Sequence, residues 1–190
     1  PKLVARYAAA YPEVRIDLTG GDSSEISQNV ADGTVHVGII GAPASCPELV
    51  SIPYLDDALV LVAPVQRSQT RLDTTGWQER LVALPWIMRE QGSGTRQTLD
   101  MAMAKAGIDL RSIVPVLVVH SSLAVLECVE AGLGVAAVSA LAARAYLERG
   151  TVAALDVPGL DMRRSFYVVH HGKRYLFPAL RFFLKTCECV

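Results

Sequence analysis

The run "REQGSGTRQTLD", Arg89 to Asp100, gathers Gly92, Ser93, Gly94, Thr95 and Arg96 between the apolar stretch "LPWIMR" and a segment with helical spacing. On a strand–loop–helix reading, Gly92 and Gly94 let backbone amides approach a ligand closely. The first turn of the helix then aims its unpaired N–H groups at that ligand, and such a terminus attracts anions. Arg96 sharpens the question, because a cation in the first turn is disfavoured by about 0.3–1 kcal/mol and needs a negative neighbour. A bound oxyanion would serve, and so would a carboxylate such as Glu90; the spacing leaves both open. The run lacks the Gly-Lys-Ser/Thr of a nucleotide P-loop and the third glycine of a dinucleotide fingerprint.

A second helix start, "HSS" from His120 to Ser122, is expected at the carboxyl end of a neighbouring strand, where open parallel sheets hold ligands. Ser121 and Ser122 are explained most economically as N-caps, with ligand contact as the alternative. "IIGAP" ends a buried strand earlier in the chain, so Gly41 could present its backbone to the same cleft, although many strands end in glycine simply to turn.

Enzyme chemistry would need positioned acids, bases or nucleophiles. His36, His120, His170, His171 and the cysteines fall in no catalytic arrangement, so no catalytic residue, no cofactor and no enzymatic activity are expected. His36 is expected to face solvent from a strand, and His170 and His171 to end one beside Lys173 and Arg174. His120 precedes a proposed ligand loop and could tune binding with pH. Cys46, Cys128, Cys187 and Cys189 show no metal-ligand spacing, which predicts no metal site and free thiols in a reducing cytosol.

The elements that must position these residues come from a chain of 190 residues that is 51% apolar, ample for a large core. Its formal charge of -1 offers no general attraction to phosphate backbones. The longest apolar runs, such as "LVLVAPV", are too short to cross a bilayer, and no signal pattern opens the chain. A soluble, cytoplasmic protein with no membrane partner is expected, although a mature secreted chain would also lack its signal.

Leu3, Val4, Tyr7 and Ala8 predict an opening helix, with Pro1 suited to its first turn. "VRIDLTG" alternates like a strand. Asp22 and Glu25 resemble a capping box for a helix closed by Gly33, and "VHVGII" is a buried strand. "LVSIPYL" and "ALVLVAP" read as two consecutive strands separated by Asp56 and Asp57. Thereafter helix and strand alternate: "WQERLVAL", "WIMR", "TRQTLDMAMAKAG", "VPVLVV", "SSLAVLECVEAG", "GVAAVSA", "LAARAYLERG", "TVAALDV" and "RSFYVVHH", ending on the helix "LFPALRFFLKTC". This alternation predicts an α/β fold of parallel sheets covered by helices on both faces.

The runs "PKLVARYAAAYPEVRIDLTGG", "VADGTVHVGIIGAP", "YLDDALVLVAP", "WIMREQGSGTRQTLD", "VLECVEAGLGVAAVS" and "RRSFYVVHHGKR" cover nearly the whole chain. In order and wording they resemble the effector-binding domain of LysR-type transcriptional regulators. The resemblance implies a two-lobed fold like that of type 2 periplasmic binding proteins, with Rossmann-like lobes joined by two crossing strands. Regulatory lobe I would hold residues 1-60 plus 163-190, and lobe II residues 61-162. It further implies an effector site made of Gly41, Gly92, Ser93, Gly94, Thr95, Arg96, Ser121 and Ser122.

Relatives with this glycine–serine–glycine–threonine–arginine loop include regulators of carbon fixation and sulfur metabolism, so a small anionic metabolite or oxyanion is the expected effector. A homodimer or homotetramer is expected, formed through the opening helix and "VRIDLTG". DNA contact is expected only through an N-terminal winged helix-turn-helix that this sequence does not include. Relatives also carry a strand ahead of the helix that begins here, so the site is expected to be incomplete. A solute-binding protein of a transport system, with the same fold, is the alternative.

Overall fold

A computed structural model describes residues 2–67, 72, 75–157 and 159–188. The chain divides into two compact units, Pro1–Asp56 with Ser165–Val190, and Asp57–Arg164. Two strands run across that division, β2 (Leu49–Pro64) and β7 (Arg163–His171). Pro1 and Cys189 lie outside the described residues, and with them the expectations attached to those two positions.

The first unit contains α1 (Lys2–Ala10), α2 (Ser23–Asp32), β1 (Val37–Ile40) and α7 (Pro178–Glu188). Asp22 caps α2 by accepting the Glu25 amide at 2.9 Å, and Gly33 ends the helix at φ 84, a left-handed angle that glycine adopts without a Cβ penalty. β7 lies between β1 and β2, antiparallel to β1 with Val169 opposite Gly38. Because successive strand side chains point to opposite faces, Val168 joins Leu3, Leu180 and Leu184 under α1 and α7. Val169 instead joins Ile26, Val30 and Ile40 under α2.

The second unit contains α3 (Trp77–Val82), β3 (Ile87–Arg89), α4 (Gly94–Lys105), β4 (Leu117–Val119), α5 (Ser122–Glu130), β5 (Ala136–Ser139), α6 (Ala140–Arg149) and β6 (Val152–Leu155). β3 pairs parallel with β4, and Trp86 bridges Val135 in parallel on its other side. β2 completes the sheet between β5 and β6, antiparallel to both. Apart from β4, whose Leu117 and Val118 are exposed, the strands are covered on both faces, which is why they read as unbroken apolar runs. Leu59, Leu61, Trp86, Met88, Val135 and Ala137 face Leu99 and Met103 of α4, whereas Val62, Ile87, Ala136 and Val138 face Val125 and Val129 of α5 and Tyr146 of α6. Each fully buried side chain of this size contributes about 1.5–3 kcal/mol.

Three expectations are corrected. "VRIDLTG" forms no strand: among the described residues no strand pairs with 14–20, and Leu18 is 71% exposed. Alternation is a local property, whereas a strand needs a hydrogen-bonding neighbour. "LVSIPYL" and "ALVLVAP" form one strand, because Asp56 accepts a hydrogen bond from the Ser165 hydroxyl at 2.9 Å and Asp57 is paired in its own unit, so neither carboxylate forces a turn. The sheets are mixed, not parallel, since the long strands β2 and β7 meet their registered neighbours antiparallel.

Candidate functional site

β3 ends at Arg89, and the Ser93 amide closes the following turn by donating to Glu90 O at 3.1 Å. Ser93 is the N-cap of α4. Its hydroxyl accepts the Arg96 amide at 3.4 Å, and the helical ladder opens with Gln97 N–H to Ser93 O at 2.9 Å. The first turn of α4 therefore begins at this loop, at the positive end of the helix. Gly94 is already helical, so the turn calls on no left-handed backbone angle there. Ser93 and Thr95 are buried to 2% and 7% exposure, which holds the turn in one geometry.

The start of α5 lies in the same unit. Ser121 is its N-cap, accepting the Ala124 amide at 3.4 Å, and Ser122 accepts from Arg89 Nη1 at 2.7 Å. Arg89 thus ties the strand that feeds α4 to the first residue of α5. Gly41 belongs to the first unit, where its amide donates to the Ser23 hydroxyl at 3.3 Å.

Each arginine of this region meets a carboxylate. Arg89 grips Glu90 through Nε, at 2.8 Å, and Nη2. Burial pushes the Glu90 carboxyl up, but the Arg89 hydrogen bonds, its own backbone amide and the positive charges of Arg89 and His120 outweigh this, so it ionises below the usual range. Arg96 pairs with Asp100 at 2.8 Å across one helical turn. The negative neighbour that Arg96 needs is therefore Asp100, and Glu90 belongs to Arg89. Arg164 donates to Asp57 at 2.8 Å and to the Thr95 hydroxyl at 3.1 Å, while the Ser139 hydroxyl donates to Asp57 at 2.9 Å. Burial lowers the Arg164 pKa against the opposing pull of Asp57, yet a guanidinium remains charged.

The sequence reading assigns no site role to Arg89, Asp57, Ser139 or Arg164. The available signal was charge inside apolar strand runs, at "LDDALVL" and "MRRSFYV". His36 stacks edge-on to Phe177, and His171 Nδ1 accepts the Lys173 amide. A cavity of about 500 Å³ in the first unit is lined by His36, His171, Arg174 and Phe177 among others. Its arginine is committed to the last carbonyls of α2, Val30 O at 3.0 Å and Ala31 O at 2.6 Å. Among the described residues no three His, Cys, Asp or Glu side chains gather to hold a metal, and no helix is long and apolar enough to cross a membrane.

Across 99% of its length the chain is 34% identical to the HTH-type transcriptional regulator YeiE of Escherichia coli (strain K12), of which it spans 62%. Its fold is similar to that of the CcmR regulatory domain of Synechocystis PCC6803 in complex with 2-PG, at TM-score 0.81 and 22% identity, covering 100% of this chain and 89% of that one. It is also similar to that of the effector binding domain of QuiR in complex with shikimate, at TM-score 0.81 and 16% identity, covering 98% and 87%. These likenesses share the two-lobed α/β architecture with crossing strands described above. Residues 1–189 match the family described as the LysR substrate binding domain, and the chain belongs to that family.

Proposed function

We propose that this chain is the effector-sensing part of a LysR-type transcriptional regulator, and that it takes a small anionic effector at the start of α4 with help from the start of α5. The observation that carries the reading is the buried Ser93–Gly94–Thr95 turn at the positive end of α4, together with the Arg89 bridge to Ser122. Gly92, Ser93, Gly94, Thr95, Ser121 and Ser122 supply short hydrogen-bonding contacts, and Arg96 adds charge tempered by Asp100. Gly41 joins the site on the family resemblance. The relatives named with 2-PG and shikimate support a small carboxylate or phosphorylated acid as the class of effector.

In the whole regulator, DNA contact belongs to a segment outside this chain, as the length of YeiE beyond the match suggests. The effector acts by preferring one state of the oligomer, since a ligand that binds two states equally shifts nothing. Dimerisation is supported by apolar side chains that lie open, Ile16 and Leu18 among them.

Thermal unfolding against sulfate, phosphate, 2-PG and shikimate at matched ionic strength tests the site. A ligand at about a hundred times its Kd adds about 2.7 kcal/mol, which raises the Tm of a domain this size by several degrees. A selective rise for one anion is expected. No rise for any of them would remove the anion site.

A further inference from the structure

Thr95 carries an unusual constraint for a residue at a helix start. Its hydroxyl accepts a hydrogen bond from Arg164 Nη1 at 3.1 Å. A threonine hydroxyl has a single proton, so accepting from a guanidinium, which can only donate, leaves that proton to be given elsewhere. The same guanidinium bonds Asp57, and the Asp57 side chain, with no exposed surface, also accepts from Ser139. Arg164 and Asp57 lie on β7 and β2, the strands by which the chain leaves and enters the second unit. One cation therefore joins the first turn of α4 to both of that unit's ends.

We propose that Arg164 is a positioning residue of the effector site. It fixes Thr95 as a hydrogen-bond donor suited to an oxyanion, and it couples occupancy of that donor to the anchoring of the two crossing strands. The proposal rests on the anion reading above and adds the residue through which a bound anion is felt. Hydrogen bonds in a chain polarise one another. An oxyanion that accepts from Thr95 makes the hydroxyl a better acceptor, strengthens its bond to Arg164 and tightens the link to Asp57. Binding thus stiffens the strands around positions 57 and 164.

Amide hydrogen exchange on the whole chain, read by mass spectrometry, tests this in two arms. Without ligand, Thr95→Val removes an acceptor from Arg164 while leaving the ion pair to Asp57. Peptides covering 57–60 and 162–166 should exchange several-fold faster than in the wild type, peptides from α2 should be unchanged, and Thr95→Ser should restore the wild-type rates. With saturating sulfate or phosphate, the same peptides should slow in the wild type and fail to slow in Thr95→Val, even when the anion is raised to match occupancy.

Wild-type exchange rates in ligand-free Thr95→Val would overturn the coupling whether or not any anion binds. An anion that binds the wild type without slowing these peptides would overturn it while leaving the anion site standing. If neither anion binds, the site reading fails for these oxyanions, and the ligand-free arm still decides the role of Arg164.

Discussion

Glu90 shows how a single side chain at this site makes the fold depend on pH. Its carboxyl is held below the ordinary value of 4.5, despite burial, by Arg89 and by nearby positive charge. A depressed folded-state pKa gives support that is complete above the unfolded value and is lost as pH falls through the folded one. Urea unfolding at pH 7 should find Glu90→Gln destabilised by at most about 3–5 kcal/mol, the cost of removing one partner of a buried pair. The gap to the wild type should shrink as pH falls below 4.5. A gap that stays constant with pH would assign the loss to packing instead of charge. At this scale the sequence was half legible: the loop from Gly92 to Arg96 announced itself by composition, and either answer to the Arg96 question was on the table. The partners were hidden because they are remote, Ser139 lying 82 positions and Arg164 107 positions from Asp57.

Among the elements, β5 meets β3 so closely that its entry residue has no room to grow. A Cβ on Gly134 would collide with the backbone oxygen of Pro85, while Val135 N–H donates to that same oxygen at 2.8 Å. Gly134→Ala should cost about 1–3 kcal/mol, the usual penalty of overpacking. Chemical denaturation measures it, and a neutral result would mean that the strand shifts freely. The apolar runs of β3, β5 and β2 could be read directly because both faces of that sheet are covered. Helix ends were equally legible, since Asp22, Gly33 and Ser121 act on amides and carbonyls a few residues away. "VRIDLTG" misled for the opposite reason, its alternation being local and strand pairing being decided by residues far along the chain.

For the whole molecule, open apolar side chains occur in both units. Leu18 is exposed in the first, and Val114, at 86%, with Val116, Val118 and Leu123 in the second. Open apolar side chains of this kind suit burial in a closed two-fold pairing of identical copies. Sedimentation velocity should show the wild type as a dimer at micromolar concentration, with Leu18→Lys shifted toward monomer. A monomeric wild type would end the proposal, and a dimer indifferent to Leu18→Lys would exclude Leu18 from the interface.

The ion pair between Asp57 and Arg164 has a consequence for how such proteins can diversify. These two residues open and close the second unit, and they touch at 2.8 Å. On the other side of the seam, Asp56 and Ser165 are hydrogen-bonded at 2.9 Å. The second unit is thus an insertion in the topological sense, a cassette whose two ends coincide. Recombination at that seam would exchange the α4 and α5 starts together with the sheet and helical layers that hold them, while the first unit keeps ends close enough to be spliced.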